Sequence, residues 1–208
     1  VRLAALDNGG FAAVWSDSGN DGSGYGIFGR RFDASGTAID ANDFQVNSTI
    51  SGTQADAGVT GLSDGGFVVT WTSASASGDS SGFGVVGQRF DASGNKIGTE
   101  FLVNTTTANA QKYSYVTALD DGDFVVAWSS DLQAGDNSQL GVYAQRFASP
   151  TPSGTVTTTD HAVSKVTSSS TGEAPFGSNV SFGVGGKTLT LDLSAHHDGS
   201  NNNYYTAA

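Results

Sequence analysis

Leu62-Ser63-Asp64-Gly65-Gly66-Phe67-Val68-Val69-Thr70-Trp71 is the stretch on which the fold turns. An Asp-Gly pair followed by a short β-branched and aromatic run reads as a tight hairpin turn entering a buried strand. Asp and Gly suit such a turn because its central positions take positive φ. The same words occur earlier as Leu6-Asp7-Asn8-Gly9-Gly10-Phe11-Ala12-Ala13-Val14-Trp15 and later as Leu119-Asp120-Asp121-Gly122-Asp123-Phe124-Val125-Val126-Ala127-Trp128. The three Trp residues stand 56 and 57 residues apart. The chain is a tandem repeat.

Working outward, a second block follows each Trp: Tyr25 to Phe32, Phe83 to Phe90 and Leu140 to Phe147. Each copy ends in Arg-Phe, and the first two run into Asp-Ala-Ser-Gly, a further tight turn. A third block, Phe44-Gln45-Val46-Asn47 and Phe101-Leu102-Val103-Asn104, starts a fresh strand. One period thus holds about four short antiparallel strands, grouped in the third unit as Phe101–Asn104, Tyr113–Leu119, Phe124–Ser129 and Gly141–Phe147. The expected fold is all-β, with four-stranded antiparallel repeats arranged as in a propeller. A β-sandwich or a stacked β-solenoid are the alternatives. Residues 1–148 form three repeats, the first entered midway; 149–154 is a Pro/Ser/Thr linker; 155–208 is a separate small β element. Within the last, Lys187 to Leu193 alternates with the period of a strand, and Ser178 to Gly183 is its hairpin partner. With no Met and Val1 in first place, the 208 residues read as an excerpt of a longer polypeptide.

Composition narrows the function classes. Of 20 acidic residues 18 are Asp, against 9 Lys plus Arg, and the net charge is −11. Asp favours turns and caps where Glu favours helices, so the acidity belongs to the turns. Nucleic acid is a poor partner, because phosphate neutralisation needs clustered Lys and Arg. No apolar run is long enough for a membrane-spanning helix. The absence of Cys removes disulfides, thiolate metal sites and Cys nucleophiles. With only His161, His196 and His197, and no His-Glu-x-x-His, nucleophile elbow or phosphate loop, the chain is expected not to be an enzyme.

Three sets of residues remain as candidates. The loops after each Trp carry oxygen ligands suited to a hard cation: Asp17, Asn20 and Asp21 in the first repeat, Asp79 in the second, Asp131 and Asp136 in the third. Ca²⁺ is the one cofactor these could hold; the alternative is a solvated loop whose Asp and Asn satisfy local backbone donors. Arg31, Arg89 and Arg146 occupy one equivalent position, fit either to staple neighbouring repeats or to present a ring of cations to an anionic glycan. Trp15, Trp71 and Trp128 follow apolar strands and read as core, though Trp faces also serve as platforms for sugar rings.

The string from Gly66 to Thr105 resembles a repeat of very large secreted bacterial proteins, the calcium-binding RTX (haemolysin-type) exoproteins and adhesins. The likeness covers residues 1–147. It implies secretion, by a type I system, to the bacterial cell surface or an extracellular layer. The glycine-rich nonapeptide that binds Ca²⁺ in those proteins is missing here, so calcium rests on the loops alone. The expected role is that of a non-catalytic structural or adhesive protein of a surface, matrix or filament, touching other copies of itself or surface glycans and proteins. A carbohydrate-binding module, or an accessory domain of a secreted hydrolase, are the alternatives.

Overall fold

A computed structural model describes residues 1–79, 82–131 and 140–148, and the backbone of three strands between 178 and 207. The fold is all-β, and the chain divides into two compact units, Val1–Val166 and Thr167–Ala208. The linker expected at 149–154 and the start of the second unit lie outside the described residues.

The described residues of the first unit form three antiparallel meanders. The first sheet is β1 (Arg2–Ala5), β2 (Phe11–Ser18), β3 (Tyr25–Phe32) and β4 (Phe44–Gln45), paired in that order. The second repeats it with β5 (Gln54–Gly61), β6 (Phe67–Ser73), β7 (Gly84–Phe90) and β8 (Lys96–Leu102). The third has β9 (Gln111–Ala118), β10 (Phe124–Asp131) and β11 (Leu140–Phe147). The register is equivalent throughout: Phe11 faces Phe32, Phe67 faces Phe90, and Phe124 faces Phe147. The second unit is a meander of β12 (Ser178–Val184), β13 (Lys187–His197) and β14 (Asn203–Ala207), its central strand reaching through the His196–His197 pair.

One grouping differs from the expectation. Phe101 does not open the third sheet; it lies on β8, hydrogen-bonded to β7 at the edge of the second. The reason is local. The Asp91-Ala92-Ser93-Gly94 turn closes tightly, with the Gly94 amide donating to Asp91 O at 2.9 Å. It folds the following segment straight back on β7, as Asp33 to Gly36 folds back the first repeat.

Each sheet packs face to face on the next, which is the propeller-like arrangement. The alternation of β2 and β3 turns Ala12, Val14 and Ile27 towards the second sheet, where they bury Phe67, Val69, Trp71 and Phe90. One repeat on, Val68 and Val85 bury Phe124, Val126, Trp128 and Phe147. An aromatic cap crosses each junction. The Phe67–Phe90 rings stack at 4.7 Å, and Phe44 of the preceding repeat lies 5.6 Å from Phe90. Phe124 and Phe147 stack at 5.1 Å, with Phe101 5.3 Å from Phe147. Both capping rings need a glycine beneath them. A Cβ on Gly29 would sit 2.9 Å from the Phe44 ring, and one on Gly87 would run into Phe101. The first strand of each sheet is the innermost. β1, β5 and β9 run side by side, with the Ala118 amide of β9 donating to Thr60 Oγ1 of β5 at 3.2 Å. Small residues allow that approach, since a Cβ on Gly61 would strike the Ala5 carbonyl of β1.

Candidate functional site

The antiparallel meanders sort the connections onto two ends. The tight Asp-Gly and Asp-Ala-Ser-Gly turns lie at one end of the sheets. At the other lie the loops after each Trp and the connections between repeats. The candidate cation ligands are at this second end, and the structure turns two of them inward.

Asp79 is 8% exposed, and its Oδ2 accepts from Asn104 Nδ2 at 3.0 Å. Asn104 is a hub. Its Oδ1 accepts from the Val85 amide at 2.7 Å. Its Nδ2 is shared among Asp79, Thr106 O (3.0 Å) and Gln111 Oε1 (3.2 Å). Gln111 Nε2 donates in turn to Ala108 O at 2.8 Å. Because Asp79 and Asn104 belong to the second repeat and Gln111 opens β9 of the third, the network ties one repeat to the next. The preceding junction is built alike. Asn47 Oδ1 accepts from the Ile27 amide at 2.7 Å, and Nδ2 reaches Thr49 O, Gln54 Oε1 and, at 3.5 Å, Asp21 Oδ2. Asp21 also accepts from the Ser23 amide at 3.0 Å. Burying so many polar atoms is tolerable only because they satisfy one another.

The other loop candidates remain nearer the surface. Asp17 accepts from Asn20 Nδ2 at 2.7 Å, and the Asp131 amide donates to Ala110 O at 2.9 Å. Asp136 lies outside the described residues. Among the described residues, no three His, Cys, Asp or Glu side chains cluster as a metal site.

The three Arg residues sit at the opposite end, paired with turn carboxylates. Arg89 Nη2 lies 2.6 Å from Asp64, and Arg146 lies 2.7 Å from Asp121 and 2.6 Å from Asp123. The hydrogen bond to Asp123 raises Arg146 above its ordinary value. The first repeat has Asn8 where the others have Asp64 and Asp121, so Arg31 turns instead to Asp40, at 2.7 Å. Burial pushes the Asp40 carboxyl up, but the hydrogen bonds and charge of Arg31 outweigh it and hold the group below its ordinary value. Arg31 Nη1 also donates to Ala92 O of the second repeat at 3.0 Å, bridging two repeats. Trp71 and Trp128 are buried in the junctions, whereas Trp15 is half-buried.

Trp15 lines a cleft of about 200 Å³ with Val1, Arg2, Val14, Ser16, Asp56 and Ala57, beside the inner strands. Its carboxylate was not singled out by the sequence. Asp56 has φ +55°, and Tyr113, one repeat later, has φ +57°. Both sit where the register of β5 or β9 against its neighbour slips by a bulge, between Ala55 and Gly58 in one and opposite Ala127 to Ser129 in the other. Left-handed φ is costly for side chains other than Gly, Asn and Asp. The Tyr113 amide donates to Thr72 Oγ1 at 3.1 Å, tying the bulge of β9 to β6 of the preceding repeat. Crowding by protein pushes Asp56 above its ordinary value; Thr72 and the charges of Arg2 and Lys112 pull the other way.

The Asn-to-Gln step of seven residues, Asn47 to Gln54 and Asn104 to Gln111, was readable as another repeat-equivalent pair. The bulges were not, because Asp and Tyr share no residue type that would mark them.

No family model matches the sequence, and no curated protein matches it. Among solved structures, the fold is similar to that of an endo-arabinase from Bacteroides thetaiotaomicron VPI-5482. That match has a TM-score of 0.52 and 13% identity, over 96% of this chain and 70% of that one, and is a likeness of fold.

Proposed function

We propose that the chain is a non-catalytic, exported repeat scaffold of a bacterial surface, matrix or filament. One observation carries the reading: most of the side chains that recur from repeat to repeat are spent on joining repeats or closing their turns. Trp71, Trp128 and the Phe residues beside them fill the junctions, the Asn and Gln residues bridge them, and Arg89 and Arg146 pin the turns of their own repeats. What varies between repeats is the loop surface, which is the part left to contact other copies, surface proteins or glycans. Export and the bacterial surface rest on the resemblance of Gly66 to Thr105 to the repeats of RTX-type exoproteins. A second reading, a carbohydrate-binding module, is favoured by the fold likeness to an endo-arabinase.

Two measurements test these readings. Incubated with arabinan and a panel of other polysaccharides, the protein is expected to release no reducing ends; release that scales with protein concentration would overturn the non-catalytic assignment. On a glycan array, saturable retention of a defined sugar decides for the carbohydrate module over a purely structural scaffold.

Calcium enters this reading only through the loops after Trp. Because Asp21 and Asp79 are held by the Asn47 and Asn104 amides, we expect the melting temperature to be the same in chelator and in millimolar Ca²⁺. A rise in Ca²⁺ would show instead that the loops rearrange around the ion.

A further inference from the structure

We propose that Asn47 and Asn104 are N-glycosylation acceptors in the unfolded chain alone, so that modification of these residues and docking of the repeats exclude each other. The exclusion lies in the joints between repeats, so it stands apart from both functional readings, which concern the loop surface.

Asn47-Ser48-Thr49 and Asn104-Thr105-Thr106 both fit Asn-x-Ser/Thr, the pattern an oligosaccharyltransferase takes as its acceptor. They occupy equivalent places, each directly after the Phe-x-Val that closes a repeat. Asn179-Val180-Ser181, on β12, is the third such pattern in the chain. The pattern ordinarily marks a surface loop. Here the two repeat-equivalent asparagines are each 2% exposed. The transfer makes a bond from Asn Nδ2 to C1 of the first sugar of a polyprenyl-diphosphate-linked oligosaccharide. The C1–O bond breaks, its electron pair leaves with the carrier, and Nδ2 gives up one proton.

Three features of the folded joint forbid that step. The first is crowding at the nucleophile. Asn104 Nδ2 lies 3.0 Å from Asp79 Oδ2, 3.0 Å from Thr106 O and 3.2 Å from Gln111 Oε1. Asn47 Nδ2 is ringed in the same way by Asp21, Thr49 and Gln54. An amide nitrogen has two N–H donors, and three acceptors around it leave a sugar carbon no line of approach. The second is the other end of the side chain. Each Oδ1 accepts from a buried amide at 2.7 Å, Ile27 in one joint and Val85 in the other, so the side chain cannot swing out without stranding that N–H. The third is the hydroxyl two residues on, the other half of the pattern. Thr49 Oγ1 donates to Glu100 Oε2 at 2.7 Å, and the Thr49 amide donates to Glu100 Oε1 at 3.1 Å. Gln54 and Glu100 belong to the second repeat and Gln111 to the third, so docking of the following repeat is what closes each acceptor. The converse holds as well. A glycan on Nδ2 replaces one of its two N–H groups and puts a bulky polar ring where Gln54 or Gln111 must sit.

The test uses the whole 208-residue chain made in two ways. Synthesised behind a cleavable leader in cells that carry an oligosaccharyltransferase, it is expected to receive glycans at Asn47 and Asn104, read by mass spectrometry of their separate peptides. Trimmed to a single N-acetylglucosamine, chains modified at either residue are expected to lack the cooperative melt of the unmodified chain. Made without the transferase and folded first, the chain is then incubated with solubilised transferase and its lipid-linked oligosaccharide. No transfer to Asn47 or Asn104 is expected in the time that consumes an unstructured acceptor peptide. Trp71→Ala loosens the joint that holds Asn47 and is expected to raise transfer there by about a hundredfold, because attack follows the population of the opened joint. Should that variant not fold, sub-denaturing urea opens the same joint in the parent and is expected to raise the rate likewise. Transfer to the folded parent at the peptide's rate overturns the closure. A glycosylated chain that melts like the parent overturns the exclusion. Absence of glycan at both residues after synthesis in those cells overturns their assignment as acceptors.

Discussion

Replacing Asn104 by leucine is expected to destabilise the first unit by about 4 kcal/mol, a large share of the 5–15 kcal/mol that holds a typical domain together. The size follows from what the side chain serves. Leucine matches its volume roughly but can neither accept from the Val85 amide nor donate to Thr106 O and Gln111 Oε1. Each buried polar group stranded in this way costs roughly 1–3 kcal/mol, whereas the net gain from a hydrogen bond made is smaller. The equivalent substitution, Asn47→Leu, strands the Ile27 amide and the Gln54 carbonyl in the same way and should cost a similar amount. The sites belong to different junctions, so the two losses should add in the double variant. Chemical denaturation of the two single variants and the double variant measures this. A loss below about 1 kcal/mol in either single variant would mean that water replaces the amide and that the junctions hold by apolar contact alone.

The Trp series should separate by repeat. Trp71→Ala is expected to cost about 3–5 kcal/mol, the usual range for truncating a buried aromatic ring, and to lower the melting temperature by roughly 10 °C or more. Trp71 is 1% exposed and packs among Leu6, Val14, Ile27 and Val46 of the preceding repeat. Trp128, 6% exposed in the next junction, should behave similarly. Trp15 occupies the same position in its strand but is half-buried, so Trp15→Ala should cost only a fraction of that. Thermal melts of the three variants decide the matter. Equal losses for all three would contradict the burial pattern, and with it the rule that each repeat covers the Trp of the one that follows.

The turns and strands of the repeat are legible in the sequence. Hairpins announced by Asp-Gly and Asp-Ala-Ser-Gly, and strands announced by Phe-Val-Val, are local events: turn chemistry and period-2 patterning act over a few residues. Those elements fall where the sequence places them. The membership of Phe101 was harder. Its strand lies equally near two sheets in sequence, and the tight turn at Asp91 to Gly94 assigns it to the second. Its ring nevertheless caps the Phe124–Phe147 pair of the third repeat. A side chain can thus belong to one sheet by backbone and to another by packing.

The Asp-rich loops show the other limit. Asp17, Asn20 and Asp21 are consecutive enough to suggest a cation, yet Asp21 faces Asn47, 26 residues away. Asp79 likewise finds Asn104, 25 residues away. Local composition carries no information about such partners, because a carboxylate takes whichever strong donor the fold brings closest. Arg31 makes the same point in reverse. Its position matched Arg89 and Arg146, but with Asn8 in place of an acid its charge is met by Asp40 and its remaining donor by Ala92 of the neighbouring repeat.

By itself, the sequence determined an all-β chain of repeats near 57 residues, the turns that punctuate them and the apolar faces they must bury. Only the tertiary structure decided which face covers which, that the recurring Asn and Gln residues bridge repeats, and that Asp56 and Tyr113 share a strained bulge at the inner strands. The division has one physical cause. Turn and strand preferences are settled by neighbours along the chain, whereas burial, charge pairing and bulge geometry are settled by residues that only folding brings together.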